Sequence, residues 1–146
     1  MTGFMKKVKT RGVVVLIGLL SMGMGAIGVT DPTQVPDVAE NYAVTVVDQS
    51  DVSIALEHFS FDGRTFLLGK LGKAQISIEF DKIRSVFFLR QDQDVNAKVR
   101  LKNGEVVEIL IEKKKPFFGV SSFANVRIET QDIKTITFQG KVENKS

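Results

Sequence analysis

Cysteine and tryptophan are absent from this 146-residue chain, which also has a single histidine, a single tyrosine and only three prolines. Without thiols there is no disulfide, no redox centre, no thiolate metal ligand and no cysteine to carry an N-terminal lipid. Stability must therefore come from a packed core, and about 115 residues after the leader suffice for one. One histidine without cysteine makes a zinc or haem site an unsupported reading, so no metal and no cofactor is expected. Eleven phenylalanines against one tyrosine and no tryptophan suit a dry core better than a sugar-stacking platform. A glycosidase-like site built from acids alone lacks the aromatics and deep cleft it needs, so the chain is expected not to be an enzyme.

A lasting excess of positive charge is also missing. Lys6, Lys7, Lys9 and Arg11 head an uncharged apolar run from Gly12 to Val29, with small residues such as Ala26 and Gly28 toward its end. A basic head, apolar middle and small-residue end describe a signal peptide. The alternative is a retained inner-membrane anchor over 12–29, whose run from Val13 to Val29 is at the short end of what spans a bilayer and is diluted by four glycines. Without these four cations, 16 basic residues face 17 acids, a formal charge of −1 in place of +3. The basicity belongs to targeting, and no nucleic-acid partner is expected. The chain is expected to be exported, periplasmic or extracellular, touching the membrane only if its N-terminal segment is retained.

Helical periodicity is lacking beyond the leader. Residues 30–41 (TDPTQVPDVAEN) read as an extended spacer, and 140–146 as a polar tail. Between them Val, Ile, Thr and Phe alternate with polar residues, with turn signals about every ten positions. Ten strands are expected, near 43–48, 52–60, 64–68, 74–80 and 84–89, then near 96–102, 105–112, 116–120, 124–129 and 134–138. Asp62-Gly63 and Asn103-Gly104 mark hairpins, the second as a type I′ turn. The stretch VRLKNGEVVEILIE is similar to the opening hairpin of Sm-like and SH3-like barrels, a generic pattern of about a dozen residues that assigns no family.

The chain also repeats itself. Residues 69–88 (GKLGKAQISIEFDKIRSVFF) align without a gap on 119–138 (GVSSFANVRIETQDIKTITF), with six identities: Gly69/Gly119, Ala74/Ala124, Ile78/Ile128, Glu79/Glu129, Ile83/Ile133 and Phe88/Phe138. Unrelated stretches would give about one. The expected architecture is all-β: two tandem five-stranded repeats, 42–90 and 95–139, forming small barrels or one pseudo-symmetric β-sandwich after an N-terminal signal or anchor helix. The shared glycines read as turn formers. Ile83 and Ile133 stand out of phase with Val86 and Ile136, which a tight turn or bulge would correct. Phe87 replaces the outward Thr137, so its face should be covered, most economically by the other half.

Chemistry-bearing residues are sparse. His58 and Ser60 lack an elbow motif or an orienting acid, and read as strand residues. Asp92, Asp94 and Asn96 have the opening spacing of a calcium loop, but Ala97 and Asn103 stand where its glycine and glutamate belong. Glu79 and Glu129 could pair across a two-fold axis as an acid–base couple, though strand parity turns both away from the apolar face. Lys113, Lys114 and Lys115 before Pro116-Phe117-Phe118 form the one basic-aromatic tip, read as a solvated turn with partner contact as the rival. Asn144-Lys145-Ser146 matches a glycosylation triplet and carries no weight. What remains is a non-catalytic envelope β-module that binds a protein or self-assembles. Its rival is a small-molecule, lipid or glycan-binding domain with a cleft between the repeats.

Overall fold

The computed structural model of the protein describes residues 30–143. The leader expected over 1–29 and the triplet at 144–146 lie outside the described residues. Ten strands form where the alternation puts them, with only their ends displaced: β1 (Tyr42–Asp48), β2 (Ser53–Phe61), β3 (Phe66–Leu71), β4 (Ala74–Glu79), β5 (Ile83–Arg90), β6 (Asp94–Leu101), β7 (Val106–Glu112), β8 (Pro116–Val120), β9 (Asn125–Glu129) and β10 (Ile133–Lys141). All pairings are antiparallel, in one curled sheet ordered β9-β8-β2-β1-β10-β5-β6-β7-β3-β4. The first five strands do not close on themselves, and neither do the last five. β8 pairs with β2 and β3 with β7, so the sheet is one surface and not two barrels side by side.

Alternation along each strand sends one set of side chains inward. Val44 and Val46, Val86 and Phe88, Val95, Ala97 and Val99, and Ile109 and Ile111 are all buried, in a single cluster with Ile133 and Ile136. Its centre is aromatic. Phe59 lies 5.7 Å from Phe80, 5.4 Å from Phe117 and 6.0 Å from Phe138 between ring centroids. Phe61 meets Phe117 at 4.8 Å, and Phe80 meets Phe138 at 5.0 Å. Rings from both halves of the chain thus fill one interior.

Local chemistry explains the connections. Asp62 and Gly63 both take positive φ, at 52° and 84°, and Phe61 and Arg64 exchange two backbone hydrogen bonds around them. This is the two-residue primed turn. At Asn103-Gly104 only Gly104 goes left-handed, at 95°. The loop there closes between Leu101 and Glu105, a three-residue hairpin instead of the expected type I′ turn. The junction at 90–95 is a tight β5–β6 hairpin closed by Gln91 N–H on the Asp94 carbonyl at 3.0 Å.

Single 3₁₀ turns, Phe80–Lys82 and Thr130–Asp132, precede β5 and β10. Bulges follow between Ile83 and Ser85 and between Ile133 and Thr135. They carry Ile83 and Ile133 into the core at 0% exposure, as the phase shift required.

Three expectations need correction. Gly69 and Gly119 are not turn formers. They lie inside β3 and β8, where a Cβ on Gly69 would meet the Leu110 carbonyl oxygen at 2.7 Å and one on Gly119 would meet the Leu56 Cβ at 2.9 Å. They are small because a neighbouring strand approaches too closely for a side chain. The C-terminal tail is partly strand, since Gly140 and Lys141 continue β10 opposite Ala43 and Tyr42 after a bulge. Segment 30–41 is not a free spacer either: Asn41 is buried and Pro36 sits beside Gly63.

Tyr42 fastens the start of β1. It is 3% exposed, its ring meets Phe80 edge-on at 5.5 Å, and its hydroxyl donates to Glu40 Oε1 at 3.2 Å. Burial, then the nearby Glu40 carboxylate, push its phenol up to about 12, while hydrogen bonds from Lys141 and Tyr42 hold Glu40 below its ordinary value. Because folding raises the phenol pKa, its stabilising contribution is intact below pH 10 and is lost as pH climbs toward 12. With one tyrosine and no tryptophan, the tyrosinate absorbance reports this residue alone. The titration midpoint of the folded protein is expected near 12, and that of the denatured chain about two units lower, near 10.

Candidate binding surfaces

Lys113, Lys114 and Lys115 form the β7–β8 turn, and the structure makes this tip a clamp. The Lys115 carbonyl accepts from Thr130 N–H at 2.9 Å and from the Thr130 hydroxyl at 2.8 Å. The Lys113 carbonyl accepts from Gln131 N–H at 3.0 Å. The Lys113 ammonium donates to the Asp92 carbonyl, and that of Lys115 lies 3.6 Å from Asp62. Lys114 alone of the three has no side-chain partner among the described residues. A surface pair such as Lys115–Asp62 contributes about 0–1 kcal/mol, so the anchoring rests on the backbone bonds and on Phe117 behind them. Phe117 is fully buried and Phe118 half-buried, as expected for core-forming positions.

His58 and Ser60 do not make a catalytic pair. His58 is exposed and Ser60 is 0% exposed, its hydroxyl without a hydrogen-bond partner. Between them the β2–β8 register slips, with Glu57 opposite Val120 but Ser60 opposite Phe118. His58 takes φ of 52°, in the left-handed region that a non-glycine residue enters only when its surroundings hold it. Asn41 supplies the hold. Its Oδ1 accepts from His58 N–H at 2.6 Å and its Nδ2 lies 3.5 Å from Glu57 Oε1. The product of the bulge is Phe59, placed at the centre of the ring cluster. Bulge and Asn41 thus serve packing.

The acidic candidates are likewise dispersed. Asp92 lies in the β5–β6 turn while Asp94 and Asn96 are paired into β6, and no group of three His, Asp or Glu among the described residues could hold a metal ion. Glu79 and Glu129 lie on β4 and β9, at opposite ends of the strand order, and are not brought together in the sheet. Glu129 instead accepts from Gln131 Nε2 at 2.7 Å and lies 3.9 Å from Arg127, the kind of pairing its outward parity implied.

Two features escaped the reading of the sequence. Phe87 is 46% exposed and Leu89 56%. Nothing from the other half covers them, because that half is hydrogen-bonded beside β5 in the same sheet and not layered on top of it. Phe123 is 88% exposed at the β8–β9 tip, where the Ser121 hydroxyl bonds both Ala124 N–H and the Ala124 carbonyl at 3.0 Å. An open groove of about 780 Å³ runs beside it, with Val52, Ala55, Glu57, His58 and Val120 in its wall. An aromatic inside a serine-capped turn was the available signal for Phe123. For Phe87 the signal was the Phe87/Thr137 difference itself, read in the wrong direction.

Fold and surfaces define the class of protein: an all-β domain made of one curled antiparallel sheet. Within that class, residues 38–141 match a family model described as "Uncharacterised protein", and the chain belongs to that family. The match runs from the segment entering β1 to the last residue of β10, so the family's shared unit is the sheet. No curated protein and no solved structure matches the chain. Among the described residues no helix is long and apolar enough to cross a membrane.

Proposed function

We propose that this protein is an exported, non-catalytic β-module that binds another protein or serves as an assembly element of the cell envelope. Its place is periplasmic or extracellular, tethered to the inner membrane if 12–29 is retained. The observation that carries the reading is the pair of open edges. β4 and β9 end the strand order, each hydrogen-bonded on one side only; neither contains a proline, and their charged residues are confined to Glu79 on β4 and to Arg127 and Glu129 on β9, which temper edge pairing without removing a backbone donor. A strand from another chain can extend such an edge through backbone bonds alone.

The domain is, in this reading, a duplicated five-strand unit whose copies exchange strands. Replacing each of β1 to β5 by the strand five places later, and the reverse, turns the strand order into its own mirror. The registers agree. Val46 faces Ile136 in one copy and Val99 faces Val86 in the other, while Glu57 opposite Val120 corresponds to Leu110 opposite Lys70. The Val86–Ile136 pair joins equivalent positions of the two units and marks the axis. An enclosed lipid or glycan cleft between the units is the less supported reading, since phenylalanines from both occupy that interior.

Crosslinking the protein in its own envelope tests the proposal. A discrete protein adduct, kept when Lys113, Lys114 and Lys115 are replaced by serine, is the expected result. Co-purifying lipid or glycan with no protein adduct would replace it with the ligand-binding reading.

A further inference from the structure

Edge strand β9 presents a fixed set of backbone groups to its open side. Ser121 N–H donates to the Ala124 carbonyl at 2.8 Å and Thr130 N–H to the Lys115 carbonyl at 2.9 Å, so the bonded phase of the β8–β9 ladder falls on the even-numbered residues of β9. Val126 and Ile128 therefore turn their N–H and C=O toward β8, while Asn125, Arg127 and Glu129 turn theirs away from it. Pro116 fits this phase. It stands opposite Glu129, where no donor to β9 is needed, and its carbonyl is taken on the other side by Asp62 N–H at 2.7 Å. Side chains alternate as well. Val126 and Ile128 pack partly buried against the core. Arg127 and Glu129 share the outer face with N and O 3.9 Å apart, beyond hydrogen-bond reach.

Two antiparallel copies of this edge bond only through the outward residues, so the two-fold axis of a symmetric pair falls on residue 126, 127 or 128. An axis at Arg127 sets that guanidinium against its own copy, and like charges directly opposite destabilise. An axis at Val126 sets Arg127 opposite Asn125. An axis at Ile128 sets Arg127 opposite Glu129 of the second copy and Glu129 opposite its Arg127, both in bonded positions, with Ile128 against Ile128 between them. The other edge lacks this self-complementarity. At the places that align with Arg127 and Glu129, β4 has Ser77 and Glu79, and it contains no cation. Pairing β4 with β9 head to tail matches Glu79 with Arg127 but leaves Glu129 opposite Ser77, and such a heterologous contact adds copies without closing.

We infer that β9 is the self-association edge of this module, and that its partner is a second copy of the chain, joined antiparallel about Ile128. Backbone bonds at Arg127 and Glu129 extend the sheet across the seam. The reciprocal charge pairs set the register, and the facing isoleucines continue the apolar side of the sheet. The inference rests on the protein-binding and assembly reading above and names its partner.

Because the chain has no cysteine, single substitutions read the register directly. Residues facing each other in a non-hydrogen-bonded pair have Cα atoms about 4.5 Å apart, within reach of a disulfide. Under mild oxidation the full chain carrying I128C is expected to run at twice the monomer mass without reductant. V126C, R127C and, on the β4 edge, I78C are expected to stay monomeric. R127E and E129R each set like charges opposite one another, and each is expected to weaken dimerisation about tenfold with the melting temperature kept. An equimolar mixture of the two is expected to restore it. R127P removes an outward N–H and leaves the β8–β9 ladder whole, so it is expected to abolish the dimer, whereas S77P on β4 is expected to preserve it. Equal crosslinking at 126, 127 and 128, a dimer from I78C alone, or no recovery on mixing would overturn the inference. A photo-crosslinker attached at I128C or I78C in the native envelope separates this failure from that of the broader proposal. Adducts to a different protein, with no band at twice the monomer mass, would sink self-pairing and leave a protein-binding module standing. No protein adduct from either position would sink both.

Discussion

Phe117→Ala is expected to lower the unfolding free energy by about 3–5 kcal/mol, the range for deleting a fully buried aromatic. Phe117 is 0% exposed and meets Phe59, Phe61 and Phe88 at centroid distances of 5.4, 4.8 and 6.1 Å. All three of those rings come from the first half of the chain, and Phe117 comes from the second. Its removal leaves a cavity that the flanking strands cannot close, because β8 is pinned to β2 and β9. Against a total stability of about 5–15 kcal/mol for an ordinary domain, such a loss leaves the fold marginal. Urea unfolding measures it, with Phe123→Ala as the control. Phe123 is 88% exposed, and its truncation is expected to fall within about 0.5 kcal/mol of the parent.

Gly69→Ala and Gly119→Ala are each expected to cost about 1–3 kcal/mol, the usual range for overpacking. The two glycines were identical in the internal alignment, but their neighbours differ. At Gly69 the new methyl would lie 2.7 Å from the Leu110 carbonyl oxygen, a backbone atom that can retreat only by disturbing the β3–β7 pairing. At Gly119 the nearest atoms, at 2.9 and 3.0 Å, are the Cβ and Cδ1 of Leu56; rotation of the side chain moves the Cδ1 but leaves the Cβ in place, so the β2 backbone must draw back as well. Thermal unfolding of the two variants side by side checks both costs. A neutral substitution at either position would mean that the neighbouring strand yields freely.

The alternation of Val, Ile and Phe made the strands legible, because a half-buried sheet requires a period of two. The phase break between Ile83 and Val86, repeated between Ile133 and Ile136, made the bulges legible as well. The same break occurs between Leu56 and Phe59 and passed unread, so the bulge that centres Phe59 was missed. Pairing between the two halves of the chain was not legible at all. Two similar stretches have the same local preferences whether each closes on itself or pairs with the other, and only long-range pairings such as Glu57–Val120 and Lys70–Leu110 distinguish the cases. Asn103-Gly104 misled because asparagine tolerates a left-handed backbone without demanding it, and here only the glycine adopts it. Of the candidate sites, Lys113 to Lys115 lie in the β7–β8 turn. The exposure of Phe87 was not read, since burial is the usual place of a large apolar side chain.

The central claim is that strands from the two halves of the chain alternate in one sheet and share one core. The direct measurement is to produce residues 30–91 and 92–146 as separate polypeptides, alone and together. The account predicts that neither half folds as a monomer, and that mixing them yields a one-to-one complex with the β spectrum of the intact chain and a single cooperative transition. A folded monomer of either half, with its own transition, would contradict it.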